Sequence, residues 1–357
     1  MKGQKRIRDY GIIIGEMQPG KKNAITDVEG VKVGHITLND ECIKTGVTAI
    51  LPHEENLFKE KVIAASHVIN GFGKTAGTIQ IDELGNIETP LILTNTLSVG
   101  TAHAALVKYI LKDNEDIGAT TGTVNPIICE CNDGYLNDIR GMHVKNEHIL
   151  RAIENADKEF EEGSIGAGMG MSCYGLKGGI GSSSRMVKIR EEVFTIGILV
   201  MSNFGVKNDL IIDGVKAGRI ITEVDKSNVV EEDKGSIIII MATDIPMTHR
   251  QLKRVCKRTG VGLSRTGSFF GNGSGDIVVG FTTANKIKHY EEEATVNIRI
   301  LNENKINNVF RAAAEATEEA ILNSLICADT TKGRDGHIRK SLKEYVNLVL
   351  KAFNSKN

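Results

Sequence analysis

Four consecutive isoleucines, Ile237–Ile240, lie inside the apolar run Ser236–Met241. An extended segment that is apolar at every position has no face to give to water, so it reads as a strand buried on both sides. Largely apolar, β-branched runs recur at Val47–Leu51, Pro90–Thr94, Phe194–Met201 and Asp276–Thr283, the last ending in a polar turn at Ala284–Lys286. Val31–Ile36 and Thr295–Ile300 alternate apolar and polar residues, as half-buried strands do. Helical patterns fall between and after them, at Thr101–Leu111, Glu147–Asn155, Thr248–Lys257, Asn307–Leu325 and Ser341–Phe353. Thr248 is suited to an N-cap. Doubly buried strands among helices predict a layered α/β body, and stacked sheets covered by helices suit so many of them. Nothing marks a boundary, so one domain is expected. The polar stretch Glu223–Lys234 reads as a surface loop.

The 357 residues carry 44 basic and 45 acidic side chains, for a net charge of −1. Such a balance gives no global field to gather nucleic acid or anionic membrane. No stretch approaches the roughly 18 apolar residues of a membrane span. The start, MKGQKRIRDYG, lacks the apolar segment of a secretory signal, so a soluble, cytoplasmic protein is expected. Six scattered cysteines fit that compartment and read as buried thiols. Glycine is abundant (38) and proline scarce (5). The glycines cluster, which points to tight turns and close backbone approach.

One cluster is Gly271-Asn272-Gly273-Ser274-Gly275-Asp276, leading straight into the strand-like run. A serine at the start of a buried strand, flanked by glycine, is suited to backbone cleavage. Gly273 can adopt a strained conformation at low cost and expose its carbonyl to the Ser274 hydroxyl. Attack would form an ester, and water would release Ser274 with a free α-amine. That amine, with an ordinary pKa of roughly 7.7–8.0, can serve as base for its own hydroxyl. The alternative is a glycine-rich turn with no chemistry.

Four other stretches matter. Gly166–Met171 and Lys177–Arg185 resemble a phosphate cradle, but lack the order of a P-loop and lead into a strand rather than a helix. Pro126–Asp138 passes from an apolar run to Glu130, Asn132, Asp133 and Asp138. Glu130, Asp133 and Asp138 could form a polar loop or a metal site, or bind a cationic substrate group, and with no histidine beside them a transition-metal site is not expected. Asn203 follows the run Phe194–Met201, where its amide is a candidate oxyanion donor or a turn residue. Glu315, Glu318 and Glu319 have the spacing of a solvated helix face, unless a partner turns one inward.

Taken in order, these pieces resemble the L-aminopeptidase/D-esterase family, which includes the β-peptidyl aminopeptidases. The matching segments are Ile25–Gly34, Pro126–Asp138, Gly166–Arg185, Leu199–Gly205, Gly235–Asp244, Gly271–Asp276 and Ala313–Leu325. The resemblance implies two stacked sheets between helical layers (α-β-β-α, of N-terminal-nucleophile type). It implies self-cleavage at Gly273–Ser274 into residues 1–273 and 274–357, and a tetramer of processed pairs. By position, Ser274 is the nucleophile, Asn203 the oxyanion-hole asparagine, Glu130 the acid that holds the substrate's amino group, and Glu315 the acid of a Ser-Ser-Glu triad. Ala313 stands where that triad has its second serine. Asn132, expected with Glu130 among the substrate-binding residues, stands where some members have a tyrosine near the oxyanion hole. The expected activity is removal of the amino-terminal residue from short peptides, amides or esters through an acyl-enzyme, with no metal or organic cofactor. The rival readings are acyl transfer, as in ornithine acetyltransferases, and a non-catalytic glycine-rich ligand-binding protein.

Overall fold

The computed structural model describes residues 3–225 and 235–354. Among them the strands are β1 (Lys32–Asp40), β2 (Ile43–Leu51), β3 (Glu60–Gly71), β4 (Asn86–Ile87), β5 (Leu91–Asn95), β6 (Ile127–Cys131), β7 (Ser172–Cys173), β8 (Leu176–Lys177), β9 (Gly179–Ile189), β10 (Glu192–Asn203), β11 (Ser236–Thr243), β12 (Gly275–Lys288), β13 (Thr331–Lys332) and β14 (Ile338–Arg339). The helices are α1 (Thr78–Leu84), α2 (Val99–Lys112), α3 (Asn146–Glu154), α4 (Ala217–Asp225), α5 (His249–Arg265), α6 (Asn307–Ile326) and α7 (Val346–Asn354).

Two sheets carry the fold. One has four strands in the order β1-β2-β5-β6, and the other has six in the order β4-β3-β12-β11-β10-β9. Leu91, Leu93, Ile127 and Cys129 of the small sheet share one apolar layer with Leu199, Met201, Ile238, Ile240 and Val279 of the large one. Ile237, Ile239 and Val278 point the other way, into a layer with Leu252 and Val255 of α5 and Ala312, Ala313 and Ala316 of α6. The isoleucine run is thus divided by the period-2 geometry of a strand between two different cores. On the outer face of the small sheet, Val47, Ala49, Ile92 and Ile128 pack on Leu106 of α2 and Ile149 and Ile153 of α3. The expected α-β-β-α layering is present.

Several expectations need correction. Helix α5 does not stop at Lys257 but runs through two glycines to Arg265. A β-carbon at Gly262 would stand 2.3 Å from the Ala314 carbonyl oxygen, so glycine here lets α6 lie against α5. The alternating segment Thr295–Ile300 is not a strand; Val296, Ile298 and Ile300 are exposed and, among the described residues, no neighbouring strand supplies a ladder. Strand β12 continues past the expected turn to Lys288, with an irregularity in its pairing with β3 between Thr282 and Lys286. The polar loop Glu223–Lys234 begins inside α4, and residues 226–234 lie outside the described residues.

Helix α6 departs further from a solvated-face reading. Its residues from Ala312 to Ile326 are all buried, including Glu315, Glu318 and Glu319. The helix is sealed by the segment that precedes β1. Arg8 makes a two-pronged contact with Glu319, Nε to Oε1 and Nη2 to Oε2, each at 2.7 Å. Arg185 Nη2, on β9, reaches the same Oε2 at 2.7 Å. Asn323 accepts from the Ile7 amide at 3.0 Å and donates to the Ser182 carbonyl at 2.9 Å.

Candidate active site

Ser274 is the last residue before β12, at the end where that strand meets the C-terminus of β3 and the N-terminus of β11. Gly275 pairs with Gly71 on one side and Ser236 on the other. Gly271–Ser274 form a tight turn, closed by the Ser274 amide donating to the Gly271 carbonyl at 2.9 Å. Asn70, across the ladder, clamps this turn: its Nδ2 donates to the carbonyls of Gly271 (3.1 Å), Asn272 (3.2 Å) and Ser274. The left-handed residue in this segment is Phe270 (φ 57°) rather than Gly273, so any strain sits before the turn and not at the expected glycine.

Asn203 ends β10, two strands away. Its register partner is Ser236, which in turn pairs with Gly275. The Asn203 Oδ1 accepts from the Ser172 amide at 2.8 Å, and its Nδ2 donates to the Asn132 carbonyl at 3.0 Å. Each contact fixes one end of the amide and leaves the second N–H of Nδ2. Asn132 contributes its backbone here; its side-chain Oδ1 accepts from the Gly134 amide at 2.9 Å and caps a turn. Behind this lies the glycine cluster mistakable for a phosphate cradle. Lys177, fully buried, donates its three N–H groups to the carbonyls of Gly168 (2.9 Å), Met171 (3.0 Å) and Gly178 (2.7 Å). Burial pulls its pKa down to about 7. The loop is therefore filled by the chain's own lysine, and it carries the Ser172 amide to Asn203.

Glu130 projects from β6 between Cys129 and Cys131, all three buried. The Lys74 amide donates to its Oε1 at 2.8 Å, and the Thr96 hydroxyl to its Oε2. The loop after β3 joins it to the serine: a β-carbon placed on Gly73 would be 3.6 Å from Glu130 Oε1 and 3.9 Å from the Gly275 Cα. A cleft of about 480 Å³ opens beside Asn203, lined by Asn132, Tyr135, Ser172, Asn203, Gly235 and Arg339. Its Gly235 carbonyl accepts from the Gly275 amide at 3.2 Å. The two sheets thus bring Ser274, Asn203, the Asn132 backbone and Glu130 to one end of the molecule, from three separate parts of the chain.

The model of one peptidase family, S58, matches residues 23–339. The chain belongs to peptidase family S58. It is 38% identical to the beta-peptidyl aminopeptidase BapA of Sphingosinicella microcystinivorans, over 96% of this chain and 93% of that one. Among solved structures it is similar to a Burkholderia sp. beta-aminopeptidase (37% identity, TM-score 0.90, covering 98% of this chain and 99% of the other). It has the same TM-score, 0.90, to the L-aminopeptidase D-Ala-esterase/amidase of Ochrobactrum anthropi (34% identity, covering 98% of this chain and 99% of the other), described as a variant of the Ntn-hydrolase fold and a prototype of the serine aminopeptidases. The layered architecture of this S58 chain is that Ntn-hydrolase fold.

Two site features of this S58 chain differ from the sequence reading. Glu315 is not brought to Ser274. Its Oε2 accepts from the amides of Glu16 (3.1 Å) and Met17 (3.0 Å) and lies 3.5 Å from Arg185 Nε. Arg185 pairs with Ile196, six residues along β10 from Ser202 at the site end. At about 3.4 Å per residue that is about 20 Å away. The triad acid taken from the resemblance is therefore captured by the N-terminal segment. The second feature is Asp276, which the sequence reading passed over. Its Oδ1 accepts the Ser274 hydroxyl at 2.6 Å, and both residues are buried. The signal was available: residues i and i+2 of a strand share a face, so Ser-Gly-Asp at a strand start places the two side chains together.

Proposed function

We propose that this S58 peptidase is an aminopeptidase whose nucleophile is Ser274, released as a new N-terminus by cleavage of Gly273–Ser274. The observation that carries the reading is the buried Ser274 hydroxyl at the mouth of β12, with a neutral amide, Asn203, and a carboxylate, Glu130, fixed at the same end of the sheets. The substrate is a short peptide, amide or ester with a free amino group. Glu130 pairs with the substrate ammonium and sets the first carbonyl beside Ser274. The Ser274 hydroxyl attacks that carbonyl and passes its proton to its own α-amine. The remaining N–H of Asn203 and nearby backbone amides stabilise the oxyanion. The leaving amine departs with the proton, and water releases the amino acid from the ester. A tetramer of processed pairs and a cytoplasmic location belong to the same reading.

Mass spectrometry of the purified, active protein tests it directly. Two chains are expected, with N-terminal sequencing finding a second start at Ser274. Active protein that is wholly intact removes the proposal. A separate test addresses Glu130. In Glu130→Gln the side chain keeps its shape and its contacts with Lys74 and Thr96 but loses its charge. A hydrogen bond to a charged group contributes about 1.5–3 kcal/mol, so KM should rise about 10- to 150-fold with a smaller change in kcat. An unchanged KM assigns ammonium recognition elsewhere.

A further inference from the structure

Self-cleavage poses a problem that the mature mechanism does not solve. In the unbroken chain the Ser274 nitrogen is an amide that donates to the Gly271 carbonyl at 2.9 Å. It has no basic lone pair, so it cannot activate its own hydroxyl. Another base must take that proton. We propose that Asp276 is this base, and thus a catalytic residue of maturation; the inference rests on the reading of Ser274 given above.

The Ser274 hydroxyl already donates to Asp276 Oδ1 at 2.6 Å. The other polar groups nearby are committed or unsuitable. The oxygens of Glu130 take the Lys74 amide and the Thr96 hydroxyl. The Ser236 hydroxyl donates to the Gly235 carbonyl at 2.7 Å. Asn70 and Asn203 carry amides, which do not accept a proton at ordinary pH. The Cys131 thiol is held neutral by its burial. Asp276 also stands opposite Asn70 in the β12–β3 ladder, so the base and the clamp on the scissile turn are set by one pair of strand positions.

The step balances without a cofactor. Asp276 takes the hydroxyl proton as Ser274 Oγ bonds to the Gly273 carbonyl carbon. The Gly273–Ser274 C–N bond then breaks, and the proton passes from Asp276 to the departing nitrogen. The product is an ester between Gly273 and Ser274 Oγ with a free α-amine. Water adds hydroxyl to the Gly273 carbonyl and returns a proton to Oγ.

The test uses the full chain carrying Asp276→Asn, near in shape to the native side chain and able to keep the contact with Ser274. General-base catalysis contributes about 10²–10⁴-fold, so the split seen by denaturing electrophoresis should slow by that factor, with an unchanged melting transition. Asp276→Glu should restore part of the rate. Hydroxylamine at neutral pH, where it cuts esters but not the Asn70–Gly71 and Asn272–Gly273 bonds that it attacks in alkali, separates the two stages. It should release no fragments from Asp276→Asn, because the ester never forms. Splitting at the wild-type rate, or ready release by hydroxylamine, overturns the assignment. If wild-type protein stays whole and Ser274→Ala remains active, the failure lies in the reading of Ser274 instead.

Discussion

Ser274→Ala should remain a single chain and lose hydrolytic turnover by about 10⁴–10⁶-fold, the range seen when a nucleophile is removed from a hydrolase that works by covalent catalysis. Two losses coincide in one atom. Without Oγ nothing can attack Gly273, so the α-amine is never uncovered; without Oγ there is also no group to carry the acyl intermediate. The turn itself should survive. It is closed by the Ser274 amide and clamped by Asn70 through carbonyl oxygens, none of which the substitution removes. Electrophoresis, mass spectrometry and turnover of an aminoacyl amide read the outcome together. Splitting without hydrolysis would place the nucleophile elsewhere, and hydrolysis by an uncut chain would make the maturation step irrelevant to activity.

The second large effect is on stability. Glu319→Ala should destabilise the protein by about 3–5 kcal/mol, seen as a lower denaturant midpoint, because it takes from the buried Arg185 its nearest carboxylate and leaves the more distant Glu315, at 3.5 Å from Nε. Arg185 is completely buried and pairs with Glu319 at 2.7 Å, and Arg8 meets the same carboxylate with two N–H groups. Removing the carboxylate takes from both guanidiniums a charged partner that water cannot readily replace. A double variant, Arg185→Leu with Glu319→Leu, should cost less than the two single changes added together, since it removes both charges. The pH dependence has a defined sign. Burial pushes the Glu319 pKa up, but Arg8 and Arg185 outweigh it and hold it below the ordinary value. A depressed carboxylate contributes stability that is complete above its unfolded pKa of about 4.3 and is lost as pH falls through the folded value. Acid unfolding of wild type should therefore steepen below pH of about 4, and Glu319→Gln should flatten that part of the curve.

Much of the architecture was legible because burial leaves a local trace. Ile237–Ile240 needed two apolar layers, and the structure supplies one on each side of β11. Helices α2, α3 and α6 fall within one or two residues of the ranges read from their periodicity. Errors occurred where local chemistry and tertiary need disagree. Gly260 and Gly262 argue against helix in isolation, yet α5 keeps Gly262 so that α6 can pass close by. Thr295–Ile300 has the period of a strand, but a ladder requires a neighbour, and no short stretch of sequence says whether one is present.

The chemistry divides in the same way. By itself the sequence determined that a serine between glycines opens a buried strand, that basic and acidic side chains nearly balance, and that no apolar span is long enough for a membrane-spanning helix. Those are properties of neighbours along the chain. Only the tertiary structure decided which carboxylates belong to the site. Glu315, Glu318 and Glu319 share one helix pattern, and what separates them from Asp276 is the set of partners they meet across as many as about 310 residues of chain. Arg8 and Arg185 draw Glu319 into a structural network, while the turn of β12 sets Asp276 against the serine. A carboxylate's role follows from the charges and donors around it, and the fold, rather than the local order of residues, puts those in place.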